Sequence, residues 1–96
     1  MTHSIDYLES VVLLDIPQLP KRARILIKSS IEKRLLSEPE KYGIPLRRSL
    51  SGLRKLRISN YRVIFQINGK KVTIVIIDHR KTVYQNVMKR LSELPQ

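Results

Sequence analysis

The Asn-Gly dipeptide at residues 68–69 lies between two strand-like runs, Tyr61 to Ile67 and Val72 to Asp78. Both residues tolerate the positive φ that a type I′ turn requires, so the pair predicts a β-hairpin. A third run, Leu53 to Ile58, joins through Ser59-Asn60, and the three together predict an antiparallel meander. A meander is stable only when an apolar face is covered, so the rest of the chain must supply the cover.

Two segments fit that need. In "KRARILIKSSIEKRLLSEPEKYG" the residues Ala23, Ile27, Ile31 and Leu35 fall four apart, which gives a helix with one apolar stripe, while Lys28 and Glu32 pair on another face. Pro39 and Gly43 end it. The preceding "VVLLDIPQLP" is an apolar helical piece broken by Pro17 and Pro20, so the N-terminal part reads as a helical hairpin or bent helix lying on the sheet. "SIDYL" can serve as a short first strand, and Val83, Val87 and Leu91 predict a closing helix. The expectation is one α+β domain spanning residues 1–96, an N-terminal helical hairpin on an antiparallel meander with a C-terminal helix, one face of the sheet covered.

Charge narrows the function. Residues 1–40 are balanced, whereas residues 41–96 hold thirteen Lys and Arg against only Asp78 and Glu93, which accounts for the whole net charge of +11. A compact domain with this much like charge gains from a polyanionic or acidic partner, and nucleic acid is the commonest. There is no cysteine, which excludes disulfides, thiolate catalysis and a cysteine zinc site, and two histidines, His3 and His79, do not make a metal site by themselves. "MTHSIDYLES" lacks the regions of a signal peptide and no long apolar run occurs, so a soluble cytoplasmic protein with no membrane partner is expected.

Strand alternation places the charges. Lys55 and Arg57 share one face of their strand while Leu56 and Ile58 share the other; on the next strand Tyr61, Val63, Phe65 and Ile67 face the core and Arg62 projects opposite. Lys55, Arg57 and Arg62 should then stand on the uncovered surface of the sheet, flanked by Arg47, Arg48 and Arg54. A solvated face also takes polar residues, but it gains nothing by excluding Asp and Glu, since mixed signs across strands are more stable.

The block "LRRSLSGLRKLRISNYRVIF", the Asn-Gly hairpin, an apolar strand ending in "HR" and "VY" opening the last helix resemble the RelE/ParE superfamily of type II toxin-antitoxin toxins, specifically its RelE branch. The "DIPQLPKRAR" segment is similar as well, so the resemblance covers nearly the whole chain. It implies an endoribonuclease that enters the ribosomal A site and cuts messenger RNA without metal or other cofactor, the ribose 2′-OH attacking the neighbouring phosphate. It also implies a cognate acidic, RelB-like antitoxin that holds the toxin silent in a hetero-oligomer. Residue by residue, Arg62 matches the family arginine that would stabilise the phosphorane, Arg80 the arginine after the last strand that stabilises or donates to the leaving group, Lys55 a lysine of proton transfer, and Tyr84 a tyrosine acting as base or stacking on the messenger. A lysine serves as base only where neighbouring cations favour its neutral form, and Arg54 and Arg57 flank Lys55.

Three further readings complete the expectation. Tyr84, Met88 and Leu91 also lie at helical spacing, which suits core packing as well as catalysis, and His79 is a further acid-base candidate that suits a structural role better. Tyr42 and Phe65 are assigned to packing. Where the branch carries two lysines flanking one residue, the earlier position here is Leu53, which points to a weaker nuclease or one relying on Tyr84 and Arg80. The rival readings are a ParE-like ligand of DNA gyrase and a plain RNA-binding module; four Tyr and one Phe are few for a stacking platform.

Overall fold

The computed structural model describes residues 3–94. Its strands are β1 (Ser4–Tyr7), β2 (Ile44–Pro45), β3 (Leu53–Ile58), β4 (Tyr61–Asn68) and β5 (Lys71–His79), joined in one sheet of order β1-β5-β4-β3-β2. β3, β4 and β5 form the antiparallel meander, with Gly69 at φ +63° in the hairpin turn. "SIDYL" does supply a first strand, but β1 runs parallel to β5, so the sheet is mixed.

The N-terminal helical part bends where the prolines stand. A wide turn of helix over Val11–Asp15 runs into α1 (Ile16–Gln18), and the backbone turns extended at Leu19 (ψ 136°) before α2 (Lys21–Leu35) starts behind Pro20. Ile27, Ile31 and Leu35 of α2 are buried against Leu56, Ile58, Val63, Phe65, Val72, Ile74 and Ile77, with Ala23 at the margin. Burying side chains of this kind contributes about 1.5–3 kcal/mol each. A short α3 (Pro39–Tyr42) leads into β2.

The expectation of a single covered face is corrected. α4 (Val83–Arg90) returns across the opposite side of the sheet and builds a second core from Leu53, Ile64, Val75, Ile76, Val83 and Val87, joined by Leu46, Leu50 and Leu91. The cause is visible in β5, whose residues 72–77 are all buried. Its pairing with β4 shifts at Ile64/Phe65, Ile64 facing Ile76 and Phe65 facing Ile74, so Val75 is an extra residue. Such a bulge breaks strict alternation, and here it lets Val75 and Ile76 both serve the second core.

β1 stops pairing at Tyr7 opposite Ile74, which leaves the far half of β5 without a strand on that side. Asp15 takes over: its Oδ2 accepts the Ile77 amide at 3.0 Å. The same carboxylate is gripped by both Nη atoms of Arg90, at 2.5 and 3.0 Å, and Arg90 Nη1 also donates to the Val75 carbonyl at 3.3 Å. Both side chains are close to buried, so this ion pair ties the N-terminal segment, β5 and α4 together. No helix among the described residues is long and apolar enough to cross a membrane.

Gly43 shows how close the chain passes between α3 and β2. A Cβ built there would overlap Cζ of the buried Phe65 and lie 3.0 Å from the Arg54 Cβ. Gly43→Ala is therefore expected to cost about 1–3 kcal/mol, the range for overpacking a tight site, read as a lower urea midpoint with an unchanged m-value.

Candidate active site

The second face of the sheet is only partly covered, because α4 lies over Ile64, Val75 and Ile76 and leaves the β3–β4 side open. On that open part the register sets Arg57 directly across from Arg62 and Lys55 across from Ile64. Lys55 and Arg57 lie two residues apart on one strand, about 7 Å. The charged cluster expected from alternation is thus present, bounded on one side by a helix rather than lying on a bare sheet.

Tyr84 completes the boundary. It projects from the exposed side of α4, 38% accessible, while Val83 and Val87 take the buried side. Core packing is therefore not its role. Lys55 Nζ donates to the Tyr84 hydroxyl at 3.0 Å and stands 5.6 Å from the ring centroid, so an ammonium and a phenol meet at the open face.

Arg62 folds toward the β3–β4 turn, where Nη1 donates to the carbonyls of Ser59 (3.1 Å) and Tyr61 (2.8 Å). A guanidinium has five N–H donors, so these bonds orient the group and leave others for an anion. The turn is itself constrained, with Ser59 at φ +54°. Arg80 arrives at the same turn: its amide donates to the Asn60 carbonyl at 2.8 Å, and its side chain is exposed. The structure thus sets Arg57 and Arg62 opposite each other at the turn end of the face and Lys55 with Tyr84 toward its middle, with the Arg80 backbone at the same turn.

The other candidates divide. Arg47 and Arg48 are exposed on the loop after β2, which folds onto the second face through Leu46 and Leu50 and touches α4 where Ser49 Oγ meets Met88 Sδ at 3.5 Å. Arg54 does not join them. It pairs with Phe65 and so lies on the first face, where Nη1 donates to the carbonyls of Glu40 (3.3 Å) and Gly43 (3.1 Å) and secures the end of α3. The alternation of β3 required this, since Arg54 is one residue from Lys55.

His79 also lies on the first face, across from Tyr61, with the two rings edge to face at 5.9 Å and Nδ1 accepting the Lys81 amide at 3.2 Å. It shapes the turn and does not face the cluster. The packing role expected of Tyr42 is corrected: the ring is exposed, with Arg34 and Lys41 each 5.7 Å from its centroid. Phe65 is fully buried as assigned. Sequence reasoning passed over Asp78, which faces Arg62 across the β4–β5 ladder and accepts from Thr82 Oγ1 at 2.9 Å and Asn86 Nδ2 at 2.7 Å. Its signal was its rarity, as one of two acids beyond residue 40.

Comparison with known proteins agrees with this fold. The family model described as the ParE toxin of the type II toxin-antitoxin system, parDE, matches residues 13–84. Toxin RelG of Mycobacterium tuberculosis is 34% identical over 73 residues, 74% of this chain and 84% of RelG. Toxin RelE of the same organism is 32% identical over 73 residues, covering 74% and 75%. The toxin-antitoxin complex RelBE2 from M. tuberculosis superposes with a TM-score of 0.78 at 28% identity, over 83% of this chain and 100% of that one. A doubly substituted E. coli toxin RelE in the free state shares the fold, with a TM-score of 0.73 at 20% identity over 95% and 99%. The chain belongs to the RelE/ParE superfamily of type II toxin-antitoxin toxins.

The placement of the arginines yields a salt test. If this face takes up single-stranded RNA, that binding should weaken as salt rises, each phosphate contact contributing about 0.7 to the slope of log K against log salt. Arg57→Ala should lower that slope by about one contact's worth. Arg54→Ala should leave it unchanged, because its guanidinium is on the other face.

Proposed function

We propose that this toxin is a ribosome-dependent endoribonuclease that cuts messenger RNA in the A site. The observation that carries the reading is the Lys55–Tyr84 contact at the edge of an exposed cationic face. A surface that only binds polyanions needs cations; it has no need of an ammonium held against a phenol hydroxyl. An RNA strand laid along β3 and β4 would place a phosphate over Arg57 and Arg62, with its ribose toward Lys55 and Tyr84.

The chemistry then needs three services. Tyr84, in its deprotonated form, accepts the proton of the 2′-OH as that oxygen bonds to phosphorus, with Lys55 donating to the phenol oxygen. Arg57 and Arg62 hold the charge of the phosphorane. Arg80, at the Asn60 turn, stabilises the charge on the departing 5′-oxygen as the P–O5′ bond breaks, and that oxygen takes its proton from solvent water, leaving a 2′,3′-cyclic phosphate and a free 5′-hydroxyl. The ribosome supplies the alignment of messenger that in-line attack requires. Leu53, buried in the second core, stands where a second lysine would have served, so proton transfer rests on Lys55 and Tyr84.

The partner that silences it is an acidic antitoxin segment, largely disordered alone, that folds across this cationic face. Neutralising the cluster and blocking RNA are then one event. A second reading follows from the family model, which is that of ParE toxins: a protein ligand of DNA gyrase with no cleavage step.

Induced expression followed by primer extension on translated messages separates the two. The nuclease reading expects breaks within codons that vanish with Arg62→Ala and fall on the order of a hundredfold or more with Tyr84→Phe, the usual scale for losing a proton-transfer group. Intact messages accompanied by gyrase-linked DNA breaks would establish the gyrase reading instead.

A further inference from the structure

Asp78 is out of place on a face that collects anions. It stands in register with Arg62 on β4, and a carboxylate there repels any phosphate that the arginine attracts. Its hydrogen bonds show where its charge is directed. Oδ2 accepts Thr82 Oγ1 at 2.9 Å and Asn86 Nδ2 at 2.7 Å, and these residues are the N-cap and the first full turn of α4. Asp78 therefore fastens the start of α4 to the end of β5. The other end of the helix is fastened by Arg90 on Asp15.

Tyr84 lies between the two fastenings. Its ring is more than a third exposed, so burial does not hold it. The helix has eight residues, too few to be stable alone, and its buried contacts at Val83 and Val87 are apolar and non-directional. Small slides or rotations of α4 would keep those contacts while moving the Tyr84 hydroxyl away from Lys55. Directional bonds are what prevent such motion.

We propose that Asp78 is a positioning residue for the Lys55–Tyr84 pair, acting through Asn86 and Thr82. Its repulsion of the incoming phosphate is accepted in return for a fixed α4. Removing the carboxylate should therefore have opposite effects on binding and on turnover: RNA is held no less tightly, and the proton-transfer pair is dispersed.

Two measurements decide it. In the free protein, nuclear Overhauser contacts between the Tyr84 ring and the Lys55 side chain are compared for the wild type, Asp78→Ala, which removes the oxygen that accepts both bonds, and Asn86→Ala, the last leaving β5 untouched. The expected result is loss of the Lys55–Tyr84 contacts in the variants, with those among Ile64, Val83 and Val87 retained. Persistence of the Lys55–Tyr84 contacts in either folded variant overturns the proposal, as does collapse of the second core or unfolding in both variants, which would make Asp78 a plain stability residue.

The second measurement rests on the nuclease reading. Asp78→Ala should slow cleavage on the order of tenfold with no rise in KM, and by less than about twofold when Tyr84 is already Phe, since residues acting through one another are not additive. Equal losses in the two backgrounds would refute it. If the wild type cleaves no message, the nuclease reading falls, and the contact measurement still decides the role of Asp78.

Discussion

The ion pair between Asp15 and Arg90 joins three parts of the chain that no local rule brings together. β1 ends opposite Ile74, and the bulge at Val75 follows immediately, so β5 loses a pairing strand and its regular ladder within a few residues. Backbone groups left open in a buried strand cost about as much as a lost hydrogen bond. Asp15 meets the Ile77 amide and Arg90 the Val75 carbonyl, so the pair substitutes for the missing strand. Taking both charges out of water is costly, and it is sustained because each makes more than one bond. Without this clamp the C-terminal end of α4 would have little beyond its short apolar stripe to hold it over the sheet.

The open face obeys a different rule. Arg57 and Arg62 are directly opposed on neighbouring strands, an arrangement that destabilises a sheet. The sheet tolerates it because stability comes from two cores, α2 on one side and α4 on the other, and neither uses the cationic strip between β3 and β4. Local conflict of this kind collects where a protein acts rather than where it is held together. An anion laid across the strip would relieve the opposition.

Much of this was legible in the residues themselves. Asn68-Gly69 and Ser59-Asn60 marked the hairpins, and Leu53–Ile58 is the strand that its pattern predicts. The four-residue spacing of Ile27, Ile31 and Leu35 gave the buried stripe of α2. Alternation put Lys55, Arg57 and Arg62 together, and it also separated Arg54, a consequence that grouping by charge along the sequence overlooked. The run of apolar residues in β5 carried the hint that both faces are buried, since a strand with one wet face alternates.

The sequence by itself determined the meander, the buried stripe of α2, the closing helix, the side of the sheet that bears cations and the family, because these depend on periods of two and four residues and on motifs of a few positions, whereas α2 ends at Leu35 and Pro39 opens the separate α3. The tertiary structure alone decided that α4 crosses the second face, that Tyr84 meets Lys55, that Asp15 finds Arg90 and that Asp78 holds the start of α4. Asp15 and Arg90 are 75 residues apart, and nothing local links them. Such pairings are set by where the bulge turns β5 and where β1 stops, and those are properties of the packed sheet rather than of any one segment.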